Sequence, residues 1–248
     1  MKTISALVIA TFYRKRAMLK IYWYFCVLVL GIISLPANAQ KEANSLQRCS
    51  TRPEKTKIIV TTQQNGVEII NRYSSWTLNN KSSSSHGGDY VVGLTSLQTT
   101  TTIDLDGPTW QDDETGGECF APHIKINLTY APIQVFIGTE FKIGTCSYNV
   151  ILEHEKQHVD LYKKNLLRVE NTLLSLMEKR FASKPIYAPS GKSRQVLEDE
   201  IDTLWRPLIK AEFAKIQIEQ NQLDSDEGLA SVGWACLGEV QKILGFRY

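Results

Sequence analysis

Charge of one sign is what this sequence lacks most: 28 Lys and Arg against 26 Asp and Glu leave a formal net charge of +2 on 248 residues. Its cations are scattered rather than massed, so the electrostatic footprint of a nucleic-acid binder is missing and nucleic acid is not an expected partner. No internal repeat is visible, which excludes a stacked-repeat architecture. Long apolar runs are scarce too. The one exception, IYWYFCVLVLGIISL from Ile21 to Leu35, is short for a membrane span. Histidine is rarer still, with 4 in the chain. What remains is the composition of a globular protein, 43% hydrophobic and 22% charged, with enough apolar side chain for one sizeable core or two small ones.

The apolar run has a telling context. Arg14, Lys15, Arg16 and Lys20 precede it, and PANAQ follows with Ala37-Asn38-Ala39 as a small-x-small site. A basic region, a short apolar stretch and a small-residue site are the three parts of a secretory signal. Cleavage is therefore expected after Ala39, with residues 1–39 as leader and 40–248 as a single domain. Met18 offers an alternative start, and an uncleaved leader would hold the chain on a membrane as a signal anchor. Either way the bulk of the chain is expected to be exported. Of the 5 cysteines, Cys26 lies in the leader, which leaves Cys49, Cys119, Cys146 and Cys236. An even set in an exported protein reads as two disulfides. Three pairings are open and spacing does not choose among them; Cys119 with Cys146 and Cys49 with Cys236 is the working expectation.

Two β-rich runs follow the leader, Lys57 to Thr62 and Val67 to Tyr73, joined through Asn65-Gly66, and that turn signal predicts a hairpin. NNKSSSSHGGD, Asn79 to Asp89, is a polar loop that contains His86. Short strands are expected at Tyr90 to Leu94 and Thr100 to Leu105. In HIKINLTYAPIQVFIGTEF, Ile124, Ile126 and Leu128 share one face, Pro132 divides the stretch into two strands, and His123 opens the first. From Ser147 the period changes. Ile151, Val159, Tyr162, Leu166, Val169, Leu173 and Met177 recur at three- and four-residue steps to about Phe181, which is an amphipathic helix. FASKPIYAPSGKS ends it. A second helical pattern runs through Val196, Ile201, Leu204, Leu208 and Ile216 with a kink expected at Pro207, and a short helix, Glu227 to Leu237, is tied down through Cys236. The fold class is α+β: a small antiparallel β region at about 50–141, then a long antiparallel helical hairpin over 147–248.

Within the first helix lies HEKQH, residues 154 to 158. Residues four apart on a helix point from one face, so His154 and His158 can aim imidazole nitrogens at a common point. Zinc takes two histidines and a carboxylate with one position left for water, whose pKa it lowers toward about 7. Glu155 stands beside that water as the general base, and it can return the proton to the leaving amine. Helical angle also sets both histidines on an edge of the apolar stripe, facing the seam with the second helix.

HEKQH on a helix that follows strands resembles the zincin metallopeptidases. TCSYNVILEHEKQHVDLY is similar to a helix of uncharacterised secreted bacterial proteins grouped with zinc-dependent proteases, and the likeness covers about Lys142 to Cys236, including LDSDEG. It implies zinc ligation by His154 and His158 and a general-base role for Glu155. Lys156 and Asp160 stand where the stricter pattern prefers uncharged and apolar residues.

No HExxHxxGxxH extension follows, so the third ligand has to come from elsewhere. If the first helix ends near Phe181 and the second starts near Ser193, the residues opposite the motif fall at about 216 to 222. Glu219 is in that window and Asp224 is just beyond it, at a helix end and in the resembling segment. Asp224 is the expected ligand, with Glu219 second.

The expected function is hydrolysis of peptide bonds by a zinc enzyme outside the cytoplasm, in a bacterial periplasm or secreted, with Zn2+ as cofactor and a peptide or protein as substrate. A hydrolase acting on an amide of cell-wall material shares every site residue. The alternative is a non-enzymatic exported interaction protein with a structural or vestigial zinc, in which His123 or His86 would fill the fourth position. Tyr162 and Tyr187 are conceivable donors to a transition state, and nothing in the sequence singles one out.

Overall fold

The computed structural model describes residues 37–52, 54–81, 91–181 and 184–245. In chain order the elements are helix α1 (Ala37–Ser50), strands β1 (Lys57–Gln64) and β2 (Val67–Tyr73), helix α2 (Ser75–Lys81), strands β3 (Gly93–Ser96), β4 (Thr99–Asp106), β5 (Thr109–Asp112), β6 (Gly117–Phe120), β7 (His123–Tyr130) and β8 (Ile133–Gly138), helix α3 (Cys146–Phe181), strand β9 (Ile186–Pro189), and helices α4 (Ser193–Glu200), α5 (Arg206–Leu223) and α6 (Asp226–Ile243), with a π turn at Ile201–Trp205 between α4 and α5. This is an α+β chain. Residues 1–36 of the leader expected over 1–39, and the loop carrying His86, lie outside the described residues.

Alternation in β7 decides where the core forms. Ile124, Ile126, Leu128 and Tyr130 are all buried on one face, as period-two patterning requires. β7 pairs with β1 in parallel and with β4 in antiparallel register, while β2 and β3 flank β8 in the same two senses. The two sheets meet at a shared corner. There Asn65 N–H donates to Tyr130 O, Ala131 N–H to Gln98 O and Ile133 N–H to Gly66 O, at 3.2, 3.0 and 3.0 Å. The floor is thus three strands, each bent at the same level.

This corrects two expectations. The β region is mixed rather than antiparallel, and Asn65-Gly66 makes a corner rather than a hairpin. A type I′ hairpin turn requires positive φ at both central residues. Only Gly66 has it, at 92°. The chain therefore bends and runs on, and both of its strands take a neighbour far along the sequence.

α3 lies across this floor with 36 residues, which is about 54 Å of helix. Val159, Leu166, Val169 and Leu173 pack with Val60, Ile126 and Leu128. Beyond Phe181 the chain adds β9, an element the sequence pattern did not reveal, whose Tyr187 pairs with Cys119 of β6. The expected irregularity at Pro207 is the π turn just before it: Arg206 N–H reaches back five residues to Ile201 O, ahead of a proline that has no N–H to offer. Ile201 and Trp205 both stay buried. α5 then returns along α3, completing the helical hairpin.

The disulfides are Cys49–Cys119 and Cys146–Cys236, not the pairing expected. Neighbourhood explains the difference: the Arg48 guanidinium grips both carboxylate oxygens of Asp112 at 3.0 and 2.8 Å, which seats α1 on the small β5-β6-β9 sheet and brings Cys49 to Cys119. Cys146 starts α3, beside α6. Two disulfides suit an oxidising, extracellular-type environment, and among the described residues no helix is long and apolar enough to cross a membrane. Peptide mapping under non-reducing conditions should return fragments joined through Cys49–Cys119 and Cys146–Cys236. A Cys119–Cys146 peptide would refute this arrangement.

Candidate metal centre

The start of α3 is held firmly, and that fixes everything it carries. Ser147 N–H donates to Glu239 Oε2 at 3.0 Å and Tyr148 N–H to Thr145 Oγ1 at 3.3 Å, which satisfies donors that a helix start leaves open. Cys146–Cys236 ties the same turn to α6. About two turns on, His154, Glu155 and His158 are all buried.

The two histidines converge as the i, i+4 spacing demands. His154 Nε2 and His158 Nε2 are 3.2 Å apart, and Asp224 Oδ1 is 3.1 Å from the first and 3.0 Å from the second. Ligand atoms around a tetrahedral zinc with bonds of roughly 2.0–2.1 Å stand about 3.3 Å apart, so the trio has the dimensions and the donor chemistry of such a site. Asp224 caps the C-terminus of α5. Burial works against its ionised form, but the hydrogen bonds from His154 and His158 outweigh that and hold its carboxyl well below the usual carboxylate range. Burial likewise disfavours the His158 imidazolium, yet Asp224, Gln220 and the charge of Glu155 raise its pKa.

Gln220 was not foreseen, although it lies in the window opposite the motif. Its Oε1 accepts from His158 Nδ1 at 2.6 Å and its Nε2 donates to His158 O at 3.1 Å. The second bond orients the amide. The first fixes a proton on His158 Nδ1, so it is the Nε2 proton shared with Asp224 that a metal would displace, and Gln220 is the outer partner that a ligating histidine needs. Gln220→Leu should therefore lower zinc affinity by about 10–100-fold with the zinc stoichiometry retained. Titration against a competing chelator measures it, and an unchanged affinity would deny Gln220 this role.

Glu219 is committed elsewhere: Asn165 Nδ2 donates to its Oε2 at 3.0 Å and Arg168 to its Oε1 at 2.5 Å. Glu155 turns to the floor, where Thr95 Oγ1 donates to its Oε2 at 2.7 Å. Burial pushes its carboxyl up, against the pull of Thr95 and the two histidines. Tyr162, one turn beyond His158, sets its ring edge-on to Tyr130 with centroids 6.2 Å apart. Burial, then the charges of Asp224 and Glu155, raises its pKa. Tyr187 donates to Thr115 Oγ1 at 2.7 Å in the small sheet. His123 starts β7 opposite Lys57 and Asp106, apart from the group formed by His154, His158 and Asp224.

Among the described residues one other set has metal-ligand chemistry, Cys146, Cys236 and Glu239. Its cysteines are joined to each other and its carboxylate caps α3, so it acts as a brace. A cleft of about 900 Å³ opens beside His154, between Asn149, Val150 and Gln157 of α3, Leu223 of α5 and Val232 of α6. Glu153, Gln222, Ser225 and Ser231 line it too, so the wall mixes amide, hydroxyl, carboxylate and aliphatic groups. No family model matches this sequence, and neither a curated protein nor a solved structure does.

Proposed function

We propose that this chain is an exported zinc-dependent hydrolase of peptide bonds, with His154, His158 and Asp224 holding the metal. The observation that carries the reading is the meeting of His154 Nε2, His158 Nε2 and Asp224 Oδ1 within 3.0–3.2 Å of one another. When bound, zinc supplies a Lewis acid that polarises a carbonyl and acidifies water. Glu155 takes the proton of the attacking water on a carboxylate oxygen and hands it to the leaving amine. Burial raises its carboxyl pKa, the direction that helps it hold the proton between the two steps. The cleft beside His154 would seat the polypeptide on either side of the broken bond, its amide side chains pairing with main-chain amides. The two disulfides agree with a site of action in a bacterial periplasm or outside the cell.

The test is metal content together with hydrolysis. Protein purified without chelator should hold about one zinc per chain and cleave members of a peptide library, and His154→Ala should do neither. Cleavage of cell-wall amides but no peptide would move the substrate, and zinc-loaded protein inert toward both would refute the hydrolase.

A further inference from the structure

The bond between Thr95 and Glu155 has a consequence for the base. β3 is an edge strand, antiparallel to β8 with Leu94 opposite Phe136 and Thr95 opposite Val135. Residues two apart on a strand share a face, so Gly93 and Thr95 look together onto α3. Thr95 Oγ1 donates to Glu155 Oε2 at 2.7 Å and lies 3.3 Å from Glu155 O. At Gly93 a methyl group would overlap Glu155 Oε1 and stand 2.9 Å from its Cδ and 2.8 Å from Ile151 Cγ2. The carboxylate is held by one oxygen, and a side chain at residue 93 would displace it from this position.

Glutamate has three side-chain torsions and, one residue from His154 and three from His158, would otherwise swing onto the imidazoles. A threonine on a strand is stiff at χ1, which makes its hydroxyl a fixed anchor. Resting on the function proposed above, we infer that Thr95 is the positioning residue for Glu155. It keeps the carboxylate beside the metal position and out of the ligand set, and Gly93 supplies the space. The sequence offers no sign of this, since a Gly-Leu-Thr stretch on a short strand is ordinary.

The experiment uses zinc-loaded wild type, Thr95→Val, Thr95→Ser, Glu155→Gln and the Thr95→Val/Glu155→Gln double variant. The readout is calorimetric affinity for acetohydroxamate, which chelates zinc through its oxygens and gives a proton to a neighbouring carboxylate. Zinc stoichiometry should be the same in all five, because Thr95 touches no ligand. Thr95→Val should weaken acetohydroxamate binding by about tenfold, the loss of one hydrogen bond to a charged group. Thr95→Ser should restore it to within about threefold. In the Glu155→Gln background Thr95→Val should change nothing further, since a positioning residue has no effect without the group it positions. An equal loss in both backgrounds, or no loss in either, would overturn the inference while the proposed function stands. Wild-type affinity in Glu155→Gln itself, or no zinc uptake by wild type, would overturn the proposed function and this inference with it.

Discussion

Asp224→Ala should lower zinc affinity by about 10²–10³-fold: structural zinc sites gain about 10–16 kcal/mol over four ligands, which is roughly 2.5–4 kcal/mol for each. Asp224 Oδ1 is the atom that both histidine Nε2 atoms face, at 3.1 and 3.0 Å, and it stands at the end of α5, where a carboxylate reaches the seam without crossing it. Glu219→Ala should leave the affinity within about threefold, its carboxylate being held on Asn165 and Arg168, and the Arg168 bond is an exposed ion pair of the kind worth about 0–1 kcal/mol. The two variants therefore separate a ligand from a neighbour. Competition with a chromophoric chelator reads both, and an unchanged affinity in Asp224→Ala would remove this residue from the site.

That Asp224 could be named from sequence, and Gln220 and Thr95 could not, has a physical cause. HEKQH sits in a helix whose 3.6-residue period runs for ten turns, so the face its histidines share follows from helical geometry alone. The length of the loop after Phe181 then brings residues at about 216 to 222 of the returning helix opposite, and Asp224 is named from just beyond that window, for its place at a helix end and in the resembling segment. Gln220 and Thr95 act through single side-chain hydrogen bonds, and Thr95 reaches Glu155 across 60 residues. No local pattern encodes that.

The misread parts of the fold are those where a local signal fits two outcomes. Asn65-Gly66 announces positive φ, but a reversal and a corner both use it, and the choice was made by β7 and β8, which offered an apolar partner to each half. β9 has four residues, ends on a proline and lies at a sheet edge, where proline is tolerated; its flanking prolines read as a loop. The disulfides depend on α1 docking to the small sheet and α6 docking to α3, which only tertiary structure determines.

Glu155→Gln should keep about one zinc per chain and lose hydrolysis by roughly 10²–10⁴-fold, the usual contribution of a general base. In the metal-free protein it should also gain stability. The sign follows from linkage. Burial raises the Glu155 carboxyl above its ordinary value, so between the unfolded pKa of about 4.3 and the folded one the native state holds a proton that the unfolded chain has lost. Stability from this group is complete below the unfolded value and falls as pH rises toward the folded one. A glutamine keeps the shape and can still accept from Thr95 but has no charge to desolvate. The advantage of the variant should thus open above about pH 4 and then level off, with a rise in Tm of about 2–4 °C for each kcal/mol in a chain of this size. Thermal melts of chelator-treated wild type and variant across pH 4–8 would show it. A variant that is less stable throughout and binds no zinc would make Glu155 a structural acid, whereas lost hydrolysis with gained stability is the mark of a residue whose buried charge serves the reaction rather than the fold.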